Sequence, residues 1–508
     1  MESELESSQR CRDRVTWALL FSALICVSGS SFQFGYNTGA VNTPETVMRA
    51  WVSESHRFMY NETMTQSANT FIWSITVSIF SIGGMLGGLL SGWFADRWGR
   101  RGGLLVNNAF ALMAGILMGA SKTVGVYYLL ILGRFIIGFN CGINSSLAPM
   151  YLNEISPKNL KGKLGSSHQL TATISILLAQ ALGMEQLLGT KELWPIHCGL
   201  ICIPAIVQLI LFPLCPETPG YSVVFKDDRA KAQQDLRCLR GSEDVSVELH
   251  RIQLAGNRMR AATEVSLKDM FIEPLLRWPM VIAVMMMFSQ QFSGINVAIY
   301  YSSNIFKGAG LGEHSANYAT LGMGGVNVLT TVLSLLAVDK FGRRPLHLAG
   351  LSGMWLCSIL LVASLSMKKI GFEWAAVSSI VWLVLFVATF AVGPGSIPWF
   401  YASEIFADNS RGRANSVAVM TNWLANFCVG LLFLPLKDAI DQYSMLVFTG
   451  LLMLFIIFTF KFVPETKQRT LEQIHEDLFD RQPRLCQDGQ IEKTHAKFCE
   501  KNGQKVTF

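Results

Sequence analysis

Asp96-Arg97-Trp98-Gly99-Arg100-Arg101 recurs as Asp339-Lys340-Phe341-Gly342-Arg343-Arg344, about 243 residues further on. Each copy is a short charged stretch between two apolar runs, 70–95 and 102–121 in the first case, 317–338 and 345–367 in the second. Two more pairs keep nearly the same offset. Glu154 with Lys161 answers to Glu404 with Arg411, and Pro216-Glu217-Thr218 answers to Pro464-Glu465-Thr466. Three motifs at one offset, each after the matching run, mark a parallel repeat of two halves.

Working outward, apolar runs lie near 15–41, 70–95, 102–121, 125–150, 164–187, 194–214, 276–303, 317–338, 345–367, 375–400, 413–436 and 442–463. Each is long enough to cross about 30 Å of hydrocarbon as a helix. The expected fold is an all-α integral membrane protein with twelve spans in two groups of six. The composition agrees: 508 residues are 51% hydrophobic and 15% charged, where a soluble domain carries about 25% charge. That excludes disorder and argues against a soluble globule. The net charge of +6 sits in short clusters between spans, which does not suit a nucleic-acid surface. Cys26, Cys141, Cys202, Cys357 and Cys428 lie inside apolar runs, with no C-x-x-C in the chain, and read as small buried hydrophobes. No nucleophile–base or metal-ligand cluster is visible, so neither an enzyme, a metal nor a cofactor is expected.

Lys and Arg concentrate after spans two, four, eight and ten, at Arg97, Arg100 and Arg101, at Lys158, Lys161 and Lys163, at Lys340, Arg343 and Arg344, and at Arg411 and Arg413. The positive-inside rule puts these loops and both termini in the cytoplasm. Asn61-Glu62-Thr63 is a glycosylation sequon in a loop expected outside, whereas Asn144-Ser145-Ser146 falls within a span. Glu2, Glu4 and Glu6 precede a first run too long for a signal peptide. The organisation expected is a tail and six-helix half over 1–214, a linker of short helices over 215–275, a second half over 276–463, and a tail over 464–508.

Amides inside the spans are the candidates for a site that binds a neutral, hydroxylated solute, since each carries both donors and acceptors. They are Gln33, Asn37, Gln169, Gln290, Gln291, Asn296, Asn327, Asn422 and Asn426, with Trp399 and Trp423 as aromatic faces. Gln290, Gln291 and Asn296 are read as neighbours on one helical face. Gly393, Pro394, Gly395 and Pro398 predict a broken span ten, and unwound backbone at membrane depth belongs beside a cavity or within protein. The repeated charges at the basic span ends are expected to pair when that face closes and part when it opens.

These features resemble the sugar porter branch of the major facilitator superfamily. Phe32-Gln33-Phe34-Gly35-Tyr36-Asn37-Thr38-Gly39, Ser289-Gln290-Gln291-Phe292-Ser293-Gly294-Ile295-Asn296 and Val392-Gly393-Pro394-Gly395-Ser396-Ile397-Pro398-Trp399-Phe400 resemble the facilitative glucose transporter (GLUT) family, over residues 15 to 470. The resemblance implies sugar contact by Gln169, Gln290, Gln291, Asn296, Asn327, Phe390, Trp399 and Asn422. It implies gating charges at Asp96, Arg97, Arg100, Arg101, Arg134, Glu154, Lys161, Glu217, Asp339, Arg343, Arg344, Glu404, Arg411 and Glu465. The implied cargo is a hexose, D-glucose first with fructose left open, and the implied setting is the plasma membrane.

Proton-coupled sugar porters carry Gly-Tyr-Asp in span one. Here the motif reads Gly35-Tyr36-Asn37, and an asparagine cannot titrate, so uniport is expected. Proton symport, through Glu185 or a rim carboxylate, and a non-transporting sugar sensor are the alternatives. Several positions depart from the family pattern. Ala391 stands where many members have Glu, Lys161 and Gly220 where Arg is usual, and Ile299 where Phe is common. Met287-Phe288-Ser289 replaces the Gln-Leu-Ser of glucose-selective members.

Overall fold

A computed structural model describes residues 15–157, 160–261, 266, 268–469 and 471–481. The described residues are helical, with no strand among them. Nine of their helices are long and apolar enough to cross a membrane. Two are double. Gln66–Val124 has 59 residues, which at 1.5 Å per residue far exceeds one bilayer. It breaks at Gly99 (φ 82°, ψ 176°) into spans two and three. Ser410–Phe462 likewise holds spans eleven and twelve, Asp408–Ile440 and Ser444–Phe462. Lys161–Leu182 completes the twelve; its basic start keeps it from reading as fully apolar.

Span one, Trp17–Gly39, begins at Thr16, whose hydroxyl accepts the Leu19 N–H at 3.1 Å and donates to the Leu239 carbonyl at 2.8 Å. That one side chain caps the span and ties it to the 229–240 helix. The segment between the halves forms helices Pro219–Val224, Arg229–Arg240, Ser246–Ala261 and Asp269–Ile272.

The repeat is carried into three dimensions at the ends of the spans bearing Gly99 and Gly342, the motif end of the bundle. Gly342 (φ 94°, ψ 172°) turns the chain between spans eight and nine as Gly99 does between two and three. A Cβ on Gly99 would sit 2.5 Å from Glu217 Oε2, and one on Gly342 2.7 Å from Glu465 Oε2. Both the backbone region and the close carboxylate therefore demand glycine.

Packing distinguishes the two ends. At the motif end each half has a separate apolar core, one around Leu104, Leu147, Tyr151 and Phe212, the other around Met280, Tyr401, Ile405 and Val463. At the opposite end a single core runs through both halves, from Trp51, Trp73 and Trp194 to Tyr300, Phe306 and Phe433. Among the described residues the apolar cores of the two halves are joined at one end and separate at the motif end.

Candidate functional site

Span seven is two helices, Pro274–Gln291 and Ile295–Gly308, separated by a turn in which Gly294 adopts φ 90°. Span ten is also two, Trp374–Val392 and Ile397–Ile405, as its Gly-Pro pattern predicts. The breaks face each other. Gln290 Nε2 donates to the carbonyls of Pro394 and Gly395, each at 2.8 Å, so backbone groups freed by one broken helix are satisfied by an amide beside the other break.

From there an amide network continues. Asn422 Nδ2 donates to Gln290 Oε1 at 2.6 Å, Gln291 Nε2 donates to Asn422 Oδ1 at 2.9 Å, and Asn296 Nδ2 donates to Gln291 Oε1. All four residues are buried. Asn296 does not share a regular helical face with Gln290 and Gln291, as the sequence reading had it. In an unbroken helix a residue five positions on points well away; the turn at 292–294 brings it back.

Next to this network lies a cavity walled by Gln169, Thr173 and Ile176 of span five, Ile299 of span seven, Asn327, Thr331, Ser334 and Leu335 of span eight, and Phe390, Ala391, Gly395 and Ser396 of span ten. Gln169 and Asn327 make no side-chain hydrogen bond among the described residues, so their amides are open. Phe390 supplies an aromatic wall. None of the lining residues is titratable. Seven of the eight expected contacts thus divide into two groups. Gln169, Asn327 and Phe390 line the cavity. Gln290, Gln291, Asn296 and Asn422 form the bonded bed beneath it, reached through Gly395. Trp399 is half-buried, between the motif-end core of the second half and the shared core. Thr173, Thr331 and Ser334 were missed, yet Gln169/Thr173/Ile176 and Asn327/Thr331/Ser334 are i, i+4, i+7 sets, the spacing of one helix face.

Other candidates lie elsewhere. Gln33 donates to Asn108 Oδ1 at 3.2 Å, and Asn37 to the Gln33 carbonyl at 2.9 Å, so both serve packing within the first half. Asn426 Oδ1 accepts from Ser81 and Tyr300, a bridge between halves. Trp423 is buried against Phe34 and Phe80.

The charged set is built twice. Arg100 pairs with Glu154 at 3.0 Å and Arg343 with Glu404 at 3.1 Å. Glu217 accepts the N–H groups of Arg101 and Gly102, and Glu465 those of Arg343 and Arg344, so that the carboxylates cap the starts of spans three and nine. The Arg101 guanidinium holds the Cys215 carbonyl at 2.7 Å and that of Arg344 holds the Phe460 carbonyl at 2.6 Å. Asp96, Arg97 and Lys161 are exposed. The side chain of Asp339 lies outside the described residues. Arg411 donates to the Ser403 and Phe406 carbonyls. Arg134 is different: it is buried toward the opposite end, donates to the Asn37 carbonyl at 2.8 Å and lies 4.6 Å from the Phe80 ring centre. It braces spans one, two and four and is no part of the motif-end pairs.

At the opposite end polar contacts cross between halves. Asn42 donates to the Ile299 carbonyl and to Ser302 Oγ, each at 2.7 Å. Asn304 donates to Glu45 Oε1 at 3.4 Å and accepts from Lys437 at 2.6 Å. Burial pushes the Glu45 carboxyl above the ordinary carboxylate range, against the opposing pull of Arg49 and Lys437. Asn61 ends the 45–60 helix in the left-handed region (φ 56°) and is exposed.

A family model described as "Sugar (and other) transporter" matches residues 22–478. Facilitated glucose transporter protein 1 of Caenorhabditis elegans is 49% identical over 467 residues, 91% of each chain. Solute carrier family 2, facilitated glucose transporter member 3, of Canis lupus familiaris is 42% identical over 461 residues, 91% of this chain and 92% of the relative. Among solved structures, the partially occluded inward-open xylose transporter XylE from E. coli superposes with a TM-score of 0.75 at 26% identity, covering 90% of this chain and 100% of that one. The proton:xylose symporter XylE bound to 6-bromo-6-deoxy-D-glucose gives 0.71 at 27% identity, covering 91% and 98%.

Proposed function

The chain belongs to the sugar transporter family, and from that premise we propose that it carries a hexose across the membrane by facilitated, alternating-access uniport. D-glucose is the first substrate and fructose the second to test. The observation that carries this reading is the cavity itself: open amides at Gln169 and Asn327, an aromatic wall at Phe390, and no titratable lining group. Neutral donor–acceptor groups suit sugar hydroxyls, and the ring's C–H face suits an aromatic side chain. Coupling to protons needs a group that changes charge along the path, and position 37 offers an amide.

In this reading the sugar enters from the motif end in the conformer described. Gln290, Gln291, Asn296 and Asn422 exchange bonds among themselves for bonds to the sugar, and the breaks in spans seven and ten are the hinges that close the two ends in turn. The basic loops support a cytoplasmic motif end and cytoplasmic termini, and in this reading the carrier works in the plasma membrane, as the family resemblance implies. Asn61, exposed on the other side, is the glycosylation site; loss of a glycosidase-sensitive band shift in Asn61→Gln checks it.

The deciding experiment is uptake by the purified protein in liposomes, using D-glucose, L-glucose, fructose and galactose with and without a proton gradient. Stereospecific equilibration that ignores the gradient is expected. Accumulation driven by the gradient overturns uniport, and binding without flux overturns the carrier.

A further inference from the structure

Four residues of the cavity wall carry a hydroxyl: Thr173, Thr331, Ser334 and Ser396. Three spend it on backbone carbonyls. Thr173 donates to Leu170 at 2.9 Å, Thr331 to Asn327 at 2.8 Å and Ser334 to Val392 at 2.8 Å. Ser396 Oγ is buried and has no hydrogen-bond partner among the described residues. Such a group costs free energy unless something satisfies it, and in a native site it calls for an explanation.

The local sequence explains why it is unpaired. Ser396 is the N-cap of the helix Ile397–Ile405, where a serine ordinarily accepts from the N–H of the second or third helical residue. The second residue is Pro398, which has no N–H. The third, Trp399, donates instead to the Ser396 carbonyl at 3.3 Å. The cap is not made, and the hydroxyl is left unpaired on a residue of the cavity wall, in the unwound segment whose Pro394 and Gly395 carbonyls are taken by Gln290.

We propose that Ser396 is a substrate-contacting, specificity-determining residue whose hydroxyl, turned about χ1 toward the cavity, bonds one ring hydroxyl of the bound monosaccharide. The proposal rests on the hexose-carrier reading and adds to it a contact on span ten, opposite the open amides of Gln169 and Asn327 on spans five and eight. It also links binding to motion, because Ser396 belongs to the hinge of span ten and would register the sugar there. A hydroxyl both donates and accepts, so the contact selects an oxygen at one ring position without demanding its orientation.

The test is a panel of D-glucose and its monodeoxy analogues, one per ring hydroxyl, read as inhibition constants for D-glucose uptake and as thermal shifts of the purified protein. Ser396→Ala is expected to raise the KM for D-glucose about three- to tenfold with kcat little changed, as for one neutral hydrogen bond. One deoxy analogue, and only one, should bind wild type and Ser396→Ala equally. Ser396→Thr, which keeps the hydroxyl, should restore discrimination at that ring position. Loss spread evenly over every analogue, or an unchanged KM, overturns the proposal. If Ser396→Ala does not fold, the Thr variant and the wild-type panel decide: a wild type that tolerates every single deoxygenation equally also overturns it. A wild type that moves no D-hexose overturns the carrier reading instead, and the thermal-shift panel then judges Ser396 separately.

Discussion

The two halves share one scaffold and differ where the polar chemistry lies. At the motif end they are nearly superimposable in their bonds. The Tyr151 hydroxyl donates to the Pro216 carbonyl at 2.9 Å and that of Tyr401 to the Pro464 carbonyl at 2.8 Å, beside the matching Arg100–Glu154 and Arg343–Glu404 pairs. Deeper in the membrane they diverge. Span four, Tyr127–Ile155, is one continuous helix, while its repeat partner, span ten, breaks at 393–396. Apart from Gln169 at the cavity and Asn42 at the opposite end, the first half closes these amides on itself: Asn107 bonds Asn140 and Asn144, and Asn108 donates to Gln208 at 2.8 Å. The second half turns its amides to unwound backbone and to the cavity. Duplication supplied a rigid frame twice; span four kept one helix where span ten broke beside the break in span seven, which is where a site can both bind and bend.

The largest expected effect breaks the second half's special feature. Gln290→Ala strands the Pro394 and Gly395 carbonyls and removes a partner of Asn422. Each buried group left unsatisfied costs about 1–3 kcal/mol, so kcat/KM for D-glucose should fall at least tenfold, measured in liposomes at matched protein density. Gln33→Leu, the control in the first half, should cost stability through Asn108 and leave KM within about twofold. Equal KM effects would show that the halves share the site evenly.

A second difference lies inside the matched motifs. Glu404 Oε2 accepts the Thr466 hydroxyl. In the first half the corresponding bond is missing: Glu154 Oε2 and the Thr218 hydroxyl are both buried without partners among the described residues. Glu404→Gln should therefore lower Tm more than Glu154→Gln, since it dismantles a complete site; each pair is half-buried, so the expected difference is about 1 kcal/mol. A Cβ on Gly220 would lie 3.6 Å from Glu154 Oε2. Gly220→Arg should complete the first lock, raising Tm by a few degrees and slowing exchange about twofold, with stopped-flow sugar release as the readout.

Asn37→Asp tests the frame's neutrality. It sets a carboxylate on the residue whose carbonyl Arg134 holds, yet the cavity gains no titratable lining group, so pH-gradient-driven accumulation should stay absent. The smallest effect concerns Glu45. Its carboxyl titrates above the usual range where burial against the second half closes that end. A conformer with the higher pKa binds more protons as pH falls. Mild acid should therefore favour closure at that end, modestly lowering access of an impermeant probe there, and Glu45→Gln should remove the pH dependence.

Much of this was legible in the chain. Residue pattern alone determined twelve spans, the repeat and the break in span ten, because each rests on a local requirement: length across lipid, a motif recurring at one offset, or a proline without an N–H. It also determined that the path lacks an acid at position 37. Only the tertiary structure decided which amides are open. Gln33 and Gln169 are the same residue type in the same kind of apolar run, but one faces Asn108 and the other the cavity. Helix rotation and the partner across the interface set that, and neither is local. The same holds for Asn296, returned to Gln291 by a turn, for Arg134, drawn to a carbonyl instead of a carboxylate, and for Ser396. Its lost cap can be read from Pro398, but what lies across from its hydroxyl depends on spans five and eight, which are far away in the chain.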